Sequence, residues 1–205
     1  MRVVVTGGAG FIGSNLCDGL LAAGHDVVAV DNLSTGRESF LAGARQSPAF
    51  ELVLLDLFTE RDRLAEVVAG TDAVIHLAAN ADVRFGWQRP QRDLEQNVMV
   101  TCNVLEAMRA TGVGRLLFSS TGSVYGEAPV TPTPEACPFP VQTSLYGASK
   151  ASAEGFIQAY AEVAERAQAT SAACIVDDTS RKEFQAAFCR SSGMCRNPKE
   201  PRRAP

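Results

Sequence analysis

Met1-Arg2-Val3-Val4-Val5-Thr6-Gly7-Gly8-Ala9-Gly10-Phe11-Ile12-Gly13-Ser14 decides the fold of this chain. A β-branched run leads directly into a glycine cluster, and a helical apolar pattern (Phe11, Ile12, Leu16, Leu20, Leu21) follows. The segment reads as strand, tight turn and helix. Glycines at Gly7-x-x-Gly10-x-x-Gly13 permit the turn and let a pyrophosphate approach backbone N–H groups at the helix N-terminus. The spacing differs from the commoner G-x-G-x-x-G. A second strand, Asp26-Val27-Val28-Ala29-Val30, ends on Asp31. A carboxylate at that tip can accept hydrogen bonds from an adenosine ribose diol and repels a 2′-phosphate, which favours NAD over NADP. Arg37 lies nearby and works against that preference. A tight turn without a ligand would look the same over the glycines alone.

Outward from this unit, strands and helices alternate. Strands are expected at 2–6, 26–31, 50–56, 72–77 and 115–119, with helices near 11–24, 60–69, 90–111 and 145–165. Alternation of this kind predicts an α/β fold, a doubly wound parallel sheet with helices on both faces. Ligands of such sheets sit at the carboxyl ends of the strands, where strand order reverses.

Far along the chain, Ser144-Leu145-Tyr146-Gly147-Ala148-Ser149-Lys150 places a phenol and an ammonium four residues apart at the start of a helix. Side chains at i and i+4 share one helical face. A lysine there favours the phenolate, because an opposite charge stabilises the ionised form. Such a tyrosine can serve as a general base. Alone, Tyr-x-x-x-Lys also fits an ordinary surface pair.

Taken together, several stretches resemble the extended short-chain dehydrogenase/reductase superfamily. These are 6–14, Asp31-Asn32-Leu33-Ser34, His76-Leu77-Ala78-Ala79, 103–107, Ser119-Ser120-Thr121-Gly122-Ser123-Val124-Tyr125-Gly126 and 146–150. Within it they are similar to the NAD-dependent nucleotide-sugar epimerases, of the UDP-glucose 4-epimerase type, over about residues 1–165. The resemblance implies a Rossmann-like NAD-binding domain over 1–165 that also carries the catalytic residues. It implies that Gly7, Gly10, Phe11, Ile12 and Gly13 cradle the phosphates. Asp31, Asn32, Leu33, Ser34, Asp56 and Leu57 would lie at the adenosine end. Leu77, Ala78 and Ala79 would lie against the phosphates and ribose. Gln96 or Asn97 matches the family's polar cofactor contact, and spacing does not separate the two. Tyr146 and Lys150 would contact the cofactor as well as act in catalysis. Thr121 matches the family's catalytic hydroxyl, with Ser120 and Ser123 as close neighbours of the same chemistry.

By the same resemblance, Tyr146 with Thr121 would remove a proton from the sugar 4-hydroxyl while hydride passes to NAD and later returns to the opposite face. Lys150 would hydrogen-bond the nicotinamide ribose. Acidic residues usually follow the hydroxyl cluster in the family's dehydratases. Gly122 and Ser123 stand there instead, which argues against a dehydratase, though a dehydratase or reductase stays an alternative. A homodimer through 90–111 and 145–165 is a further implication.

Composition sets limits. The chain has 205 residues, 46% hydrophobic, with a net charge of −4. That is enough apolar content for one large core, and the mild charge predicts neither nucleic-acid nor membrane binding. The first strand begins at Met1, which leaves no room for a signal peptide, and a cytoplasmic location is expected. The six cysteines lack C-x-x-C spacing, and Cys17 and Cys102 read as buried thiols. The two histidines, His25 and His76, are too isolated for a metal centre; His76 closes an apolar strand and reads as a packed structural residue. The proline-rich stretch 126–143 and Asp82-Val83-Arg84-Phe85-Gly86-Trp87 read as loops on the substrate side, the latter equally as a surface turn.

From about Arg166 the pattern changes. The end is basic and proline-rich, and residues 166–205 read as an atypical, poorly ordered tail. The family's sixth strand and its sugar-nucleotide lobe find no match here. The chain is therefore expected to be truncated or frame-shifted after about 165, with the C-terminal substrate lobe missing. An inactive or NAD-binding-only fragment is the alternative from a different class. A short strand at Cys174-Ile175-Val176-Asp177 is compatible with the sequence.

Overall fold

Strand β1 (Arg2–Thr6) carries Val3, Val4 and Val5 in succession, and all three are buried. Side chains alternate between the faces of a strand, so a run buried throughout needs cover on both sides. The computed structural model of the chain describes residues 1–80, 86–134, 137 and 141–167, without the side chains of 165–167. It supplies that cover. Asp82–Phe85, Pro138, Pro140, the strand at 174–177 and the tail from 168 lie outside the described residues.

Four further strands follow: β2 (Asp26–Asp31), β3 (Phe50–Leu54), β4 (Ala73–His76) and β5 (Leu116–Phe118). All pair in parallel in the order β3-β2-β1-β4-β5. Val4 lies opposite Val28 on one side and Val74 on the other. The chain winds outward from β1 to β3, then returns to place β4 on the other flank of β1. The loops after β1 and β4 therefore leave in opposite directions and open a crevice between them.

The helices are α1 (Phe11–Ala22), α2 (Arg61–Val68), α3 (Pro90–Asp93), α4 (Val100–Thr111) and α5 (Leu145–Ala167). Val3, Val5, Val27, Ala29 and Ile75 pack with Leu16 and Cys17 of α1. On the other face, Val4, Val28 and Val74 pack with Leu64 and Val68 of α2, Val104 and Met108 of α4, and Ile157 of α5. Each such Val or Leu, fully buried, contributes roughly 1.5–3 kcal/mol. Parallel strands with two covered faces are what a near-continuous apolar run requires.

Three expectations change. The third strand stops at Leu54 rather than 56, because the Asp56 carboxylate accepts hydrogen bonds from the Phe58 and Thr59 N–H groups and turns the chain. The helix expected over 90–111 is interrupted by a π segment at Leu94–Met99. Its wider turn buries both Asp93 and Asn97, and Asn97 reaches Asn80 and Ser149. Cys102 is only half-buried, while Cys17 is fully enclosed and burial pushes its thiol up to about 12. Among the described residues no helix is long and apolar enough to cross a membrane, and no three His, Cys, Asp or Glu side chains gather as metal ligands.

Candidate functional site

Gly7 sits at the end of β1 with φ +70°, a backbone state that suits glycine, and a Cβ there would meet the Ala78 nitrogen at 2.8 Å. A Cβ on Gly13 would come within 2.2 Å of the Gly7 carbonyl oxygen. These two glycines let the turn close on itself. Gly10 differs. A Cβ there meets only the Gly7 oxygen, at 3.2 Å, and otherwise open space. That space is a cavity of about 350 Å³, lined by Gly7, Gly10, Phe11, Ile12 and Gly13 at the start of α1. The first N–H groups of a helix have no intrahelical partner and carry its positive dipole end, so this wall suits an anion.

The cavity runs along the strand ends. Asp31 lines it and is 9% exposed. Its two oxygens accept from the Ala9 N–H at 3.0 Å and the Leu33 N–H at 2.8 Å. An ionised carboxylate offers about four acceptor positions, so a diol can still be bound. Asn32 and Ser34 line the same wall, but Leu33 does not. Asp56 lies in an adjoining, more open depression that shares Asn32, Ser34 and Gln96. Burial pushes its carboxyl upward, but hydrogen bonds from Asn32, Phe58 and Thr59 outweigh this and hold it below the usual range. Leu57, Leu77, Ala78 and Ala79 complete the lining expected from the sequence.

Gln96 and Asn97 separate clearly. Gln96 lines the cavity. The Asn97 side chain is 1% exposed; it accepts from the Asn80 N–H at 2.7 Å and donates to the Ser149 hydroxyl at 2.8 Å.

Thr121, Tyr146 and Lys150 are not on the lining of this cavity. Lys150 is 3% exposed, and its ammonium donates to the Ser119 carbonyl at 2.8 Å and lies 4.5 Å from the Phe118 ring centre. Burial lowers its pKa to about 8, with Glu154 opposing the shift. Ser119 is on the cavity wall, so the ammonium is anchored one residue's width from it. The Thr121 hydroxyl accepts from the Ser123 N–H at 3.2 Å and caps the 3₁₀ turn Gly122–Tyr125. The start of α5 presses on that turn: a Cβ at Gly147 would meet the Ser123 oxygen at 2.7 Å. Ser120 is exposed and donates to Glu154, one turn beyond Lys150. The end of β5 and the 3₁₀ turn thus pack against the first two turns of α5, the segments that carry Thr121, Tyr146 and Lys150.

Sequence reasoning missed Val30, Thr35, Leu55, Val100 and Ser119, all on the cavity lining. Ser119, Val30 and Leu55 stand at or next to strand ends, a signal that was available. Val100 and Thr35 gave none, since neither carries a distinctive group.

A sheet that reverses beside a glycine cradle, with a Tyr–Lys helix at the far wall, defines a dinucleotide-binding α/β scaffold of the short-chain dehydrogenase type. The chain belongs to the NAD dependent epimerase/dehydratase family, whose model matches residues 3–175. It is 41% identical over 164 residues to a UDP-glucose 4-epimerase of Corynebacterium glutamicum, covering 78% of this chain and 47% of that one. Among solved structures it is similar to a Thermus thermophilus UDP-glucose 4-epimerase in complex with NAD, with 37% identity and a TM-score of 0.71 over 80% of this chain and 51% of the other. A dTDP-glucose 4,6-dehydratase of Streptomyces venezuelae with NAD bound gives 33% identity and a TM-score of 0.76, over 80% and 53%. The chain spans about half the length of the curated relatives it matches.

Proposed function

We propose that this chain carries the cofactor-binding and proton-transfer part of an NAD-dependent nucleotide-sugar 4-epimerase, of the UDP-glucose/UDP-galactose type. The observation that supports it most is the conjunction of an open Gly10 face with Asp31 on the same cavity. The residues fit NAD: backbone N–H groups face the place for phosphates, and a carboxylate faces the place for a ribose diol. When bound, NAD would take up and return a hydride at the sugar C4. Tyr146 would take the proton of the 4-hydroxyl, with the Thr121 hydroxyl relaying between them, since a hydroxyl both donates and accepts. Lys150, charged at neutral pH, would hold the ribose and support the phenolate. Residues 1–165 would form this functional unit. Pairing of two copies through 90–111 and 145–165 belongs to the same reading; Met99, Phe156 and Val163 leave apolar surface there.

A second reading is a cofactor-binding module without turnover. It is favoured by Lys150, whose ammonium is engaged by the Ser119 carbonyl rather than directed into the cavity. Calorimetric titration with NAD+ is the test, with Gly10→Val as control, because a side chain there enters the cavity and its Cβ meets only the Gly7 carbonyl oxygen, at 3.2 Å. Binding by the native chain that is lost in Gly10→Val is expected. A folded sample that does not bind NAD+ would refute the cofactor assignment. Interconversion of UDP-glucose and UDP-galactose, falling roughly 10²–10⁴-fold in Tyr146→Phe, supports the epimerase. Binding without turnover supports the module.

A further inference from the structure

A line of buried polar groups connects the glycine turn to the catalytic helix. It starts at Ala78, on the cavity wall, whose N–H donates to the Thr6 hydroxyl at 3.3 Å. The Thr6 hydroxyl lies 2.6 Å from His76 Nδ1, and His76 Nε2 lies 3.1 Å from the Thr101 hydroxyl. Thr101 donates to the Asn97 carbonyl at 2.6 Å. The Asn97 side chain donates to the Ser149 hydroxyl, which in turn donates to the Tyr146 carbonyl at 2.8 Å. Thr6 and His76 are 0% exposed, Thr101 and Asn97 1%, and Ser149 6%.

Each hydroxyl has one proton, so the direction of the line is determined. The Thr101 proton goes to the Asn97 carbonyl, and Thr101 must therefore accept from His76 Nε2–H. Nδ1 then has no proton and accepts from Thr6, which in turn accepts from Ala78 N–H. Every donor points from the cavity wall towards the turn that carries Tyr146. No alternative orientation satisfies all the groups, and an unsatisfied buried group costs about 1–3 kcal/mol. A buried network that is fully satisfied ties the groups it joins rigidly together, so a displacement at one end is felt at the other. The π segment is what makes the line continuous, because it turns Asn97 inward while Gln96, its neighbour, faces the cavity.

We propose that Thr6, His76, Thr101, Asn97 and Ser149 are positioning residues that couple filling of the cofactor cavity to the pose of the Tyr146 turn of α5. This rests on the cofactor reading above. None of the five needs to touch the cofactor: they act through Ala78 at one end and the Tyr146 backbone at the other. Coupling between sites is reciprocal, so an NAD+ molecule that orders the start of α5 is itself held more tightly by an ordered α5.

The test is hydrogen exchange at residues 148–152 with and without saturating NAD+, together with the NAD+ dissociation constant, in the full chain. NAD+ is expected to slow exchange there in the native protein. Thr101→Val keeps the shape but removes both hydrogen bonds; it should abolish that slowing and raise the dissociation constant about five- to tenfold. Thr101→Ser should restore both. If Thr101→Val does not fold, Ser149→Ala cuts the line at its last link and is read in the same two ways. Reduced stability with the NAD+-induced slowing and the affinity both unchanged would mean ordinary structural polar groups and overturn the coupling. Failure of the native chain to bind NAD+ overturns the cofactor reading and the coupling together, whereas native binding with undisturbed variants overturns the coupling alone.

Discussion

Lys150 shows how a buried charge opposes stability. Its ammonium is nearly enclosed, one carbonyl and one aromatic face replace its water, and its pKa falls from 10.5 to about 8. A lowered lysine pKa means that the native state disfavours the proton. The penalty is complete below pH 8, where folded and unfolded chains are both charged, and it disappears above 10.5, where both are neutral. Lys150→Met should therefore raise the unfolding free energy at pH 7 by about 2–4 kcal/mol. The gain should shrink as pH rises from 8 to 10.5. Denaturant unfolding across that range checks this, and a Met variant that is less stable than the native chain at pH 7 would refute it. At this scale the glycines of the turn were legible in the sequence, because backbone sterics depend on residue type and spacing. The partner of Lys150 was not, because the Ser119 carbonyl is a backbone group that no sequence pattern marks.

Between elements, the junction of β4 with the π segment makes a pH prediction. His76 is enclosed by Thr6 and Thr101, and burial, aided by the Lys150 charge, lowers its pKa from 6.5 to about 3. The unfolded chain binds this proton more readily than the folded one between those values. Stability should then fall as pH drops below 6.5, by about 1.4 kcal/mol per unit. Asp56, Glu60 and Glu106, whose carboxyls are held down by hydrogen bonds, lose their contribution only below about 4.5. Urea unfolding between pH 6.5 and 5 therefore isolates the histidine, and a flat profile there would show that His76 is not buried neutral. The apolar closing position of His76 on its strand was readable from the pattern. The π segment was not: it arises because Asp93 and Asn97 find buried partners in Asn80 and Ser149, which are distant in sequence and near only in the fold.

For the molecule as a whole, the cavity predicts selective stabilisation by one dinucleotide. A ligand at 100 times its dissociation constant contributes about 2.7 kcal/mol, or roughly 5–10 °C in the thermal midpoint of a chain this size. NAD+ should produce such a rise, and NADP+ at equal concentration much less, if the Asp31 carboxylate on the cavity wall is the group that meets the adenosine ribose and repels a 2′-phosphate. Equal shifts would remove Asp31 as the discriminating group. The alternation of apolar strands with amphipathic helices determined a parallel sheet covered on both faces. The glycine spacing and the acid at the second strand tip determined which crevice is built for a ligand. Both follow from local rules, the pleat of a strand and the freedom of a residue without a side chain, and such rules can be read in one dimension. Tertiary structure alone decided that Gln96 rather than Asn97 faces the cavity, that Asp56 stands in the adjoining depression, and that a polar line runs from Thr6 to Tyr146. Each of these depends on which groups meet across elements, and a buried hydrogen bond is specified by its partner as much as by the residue that makes it.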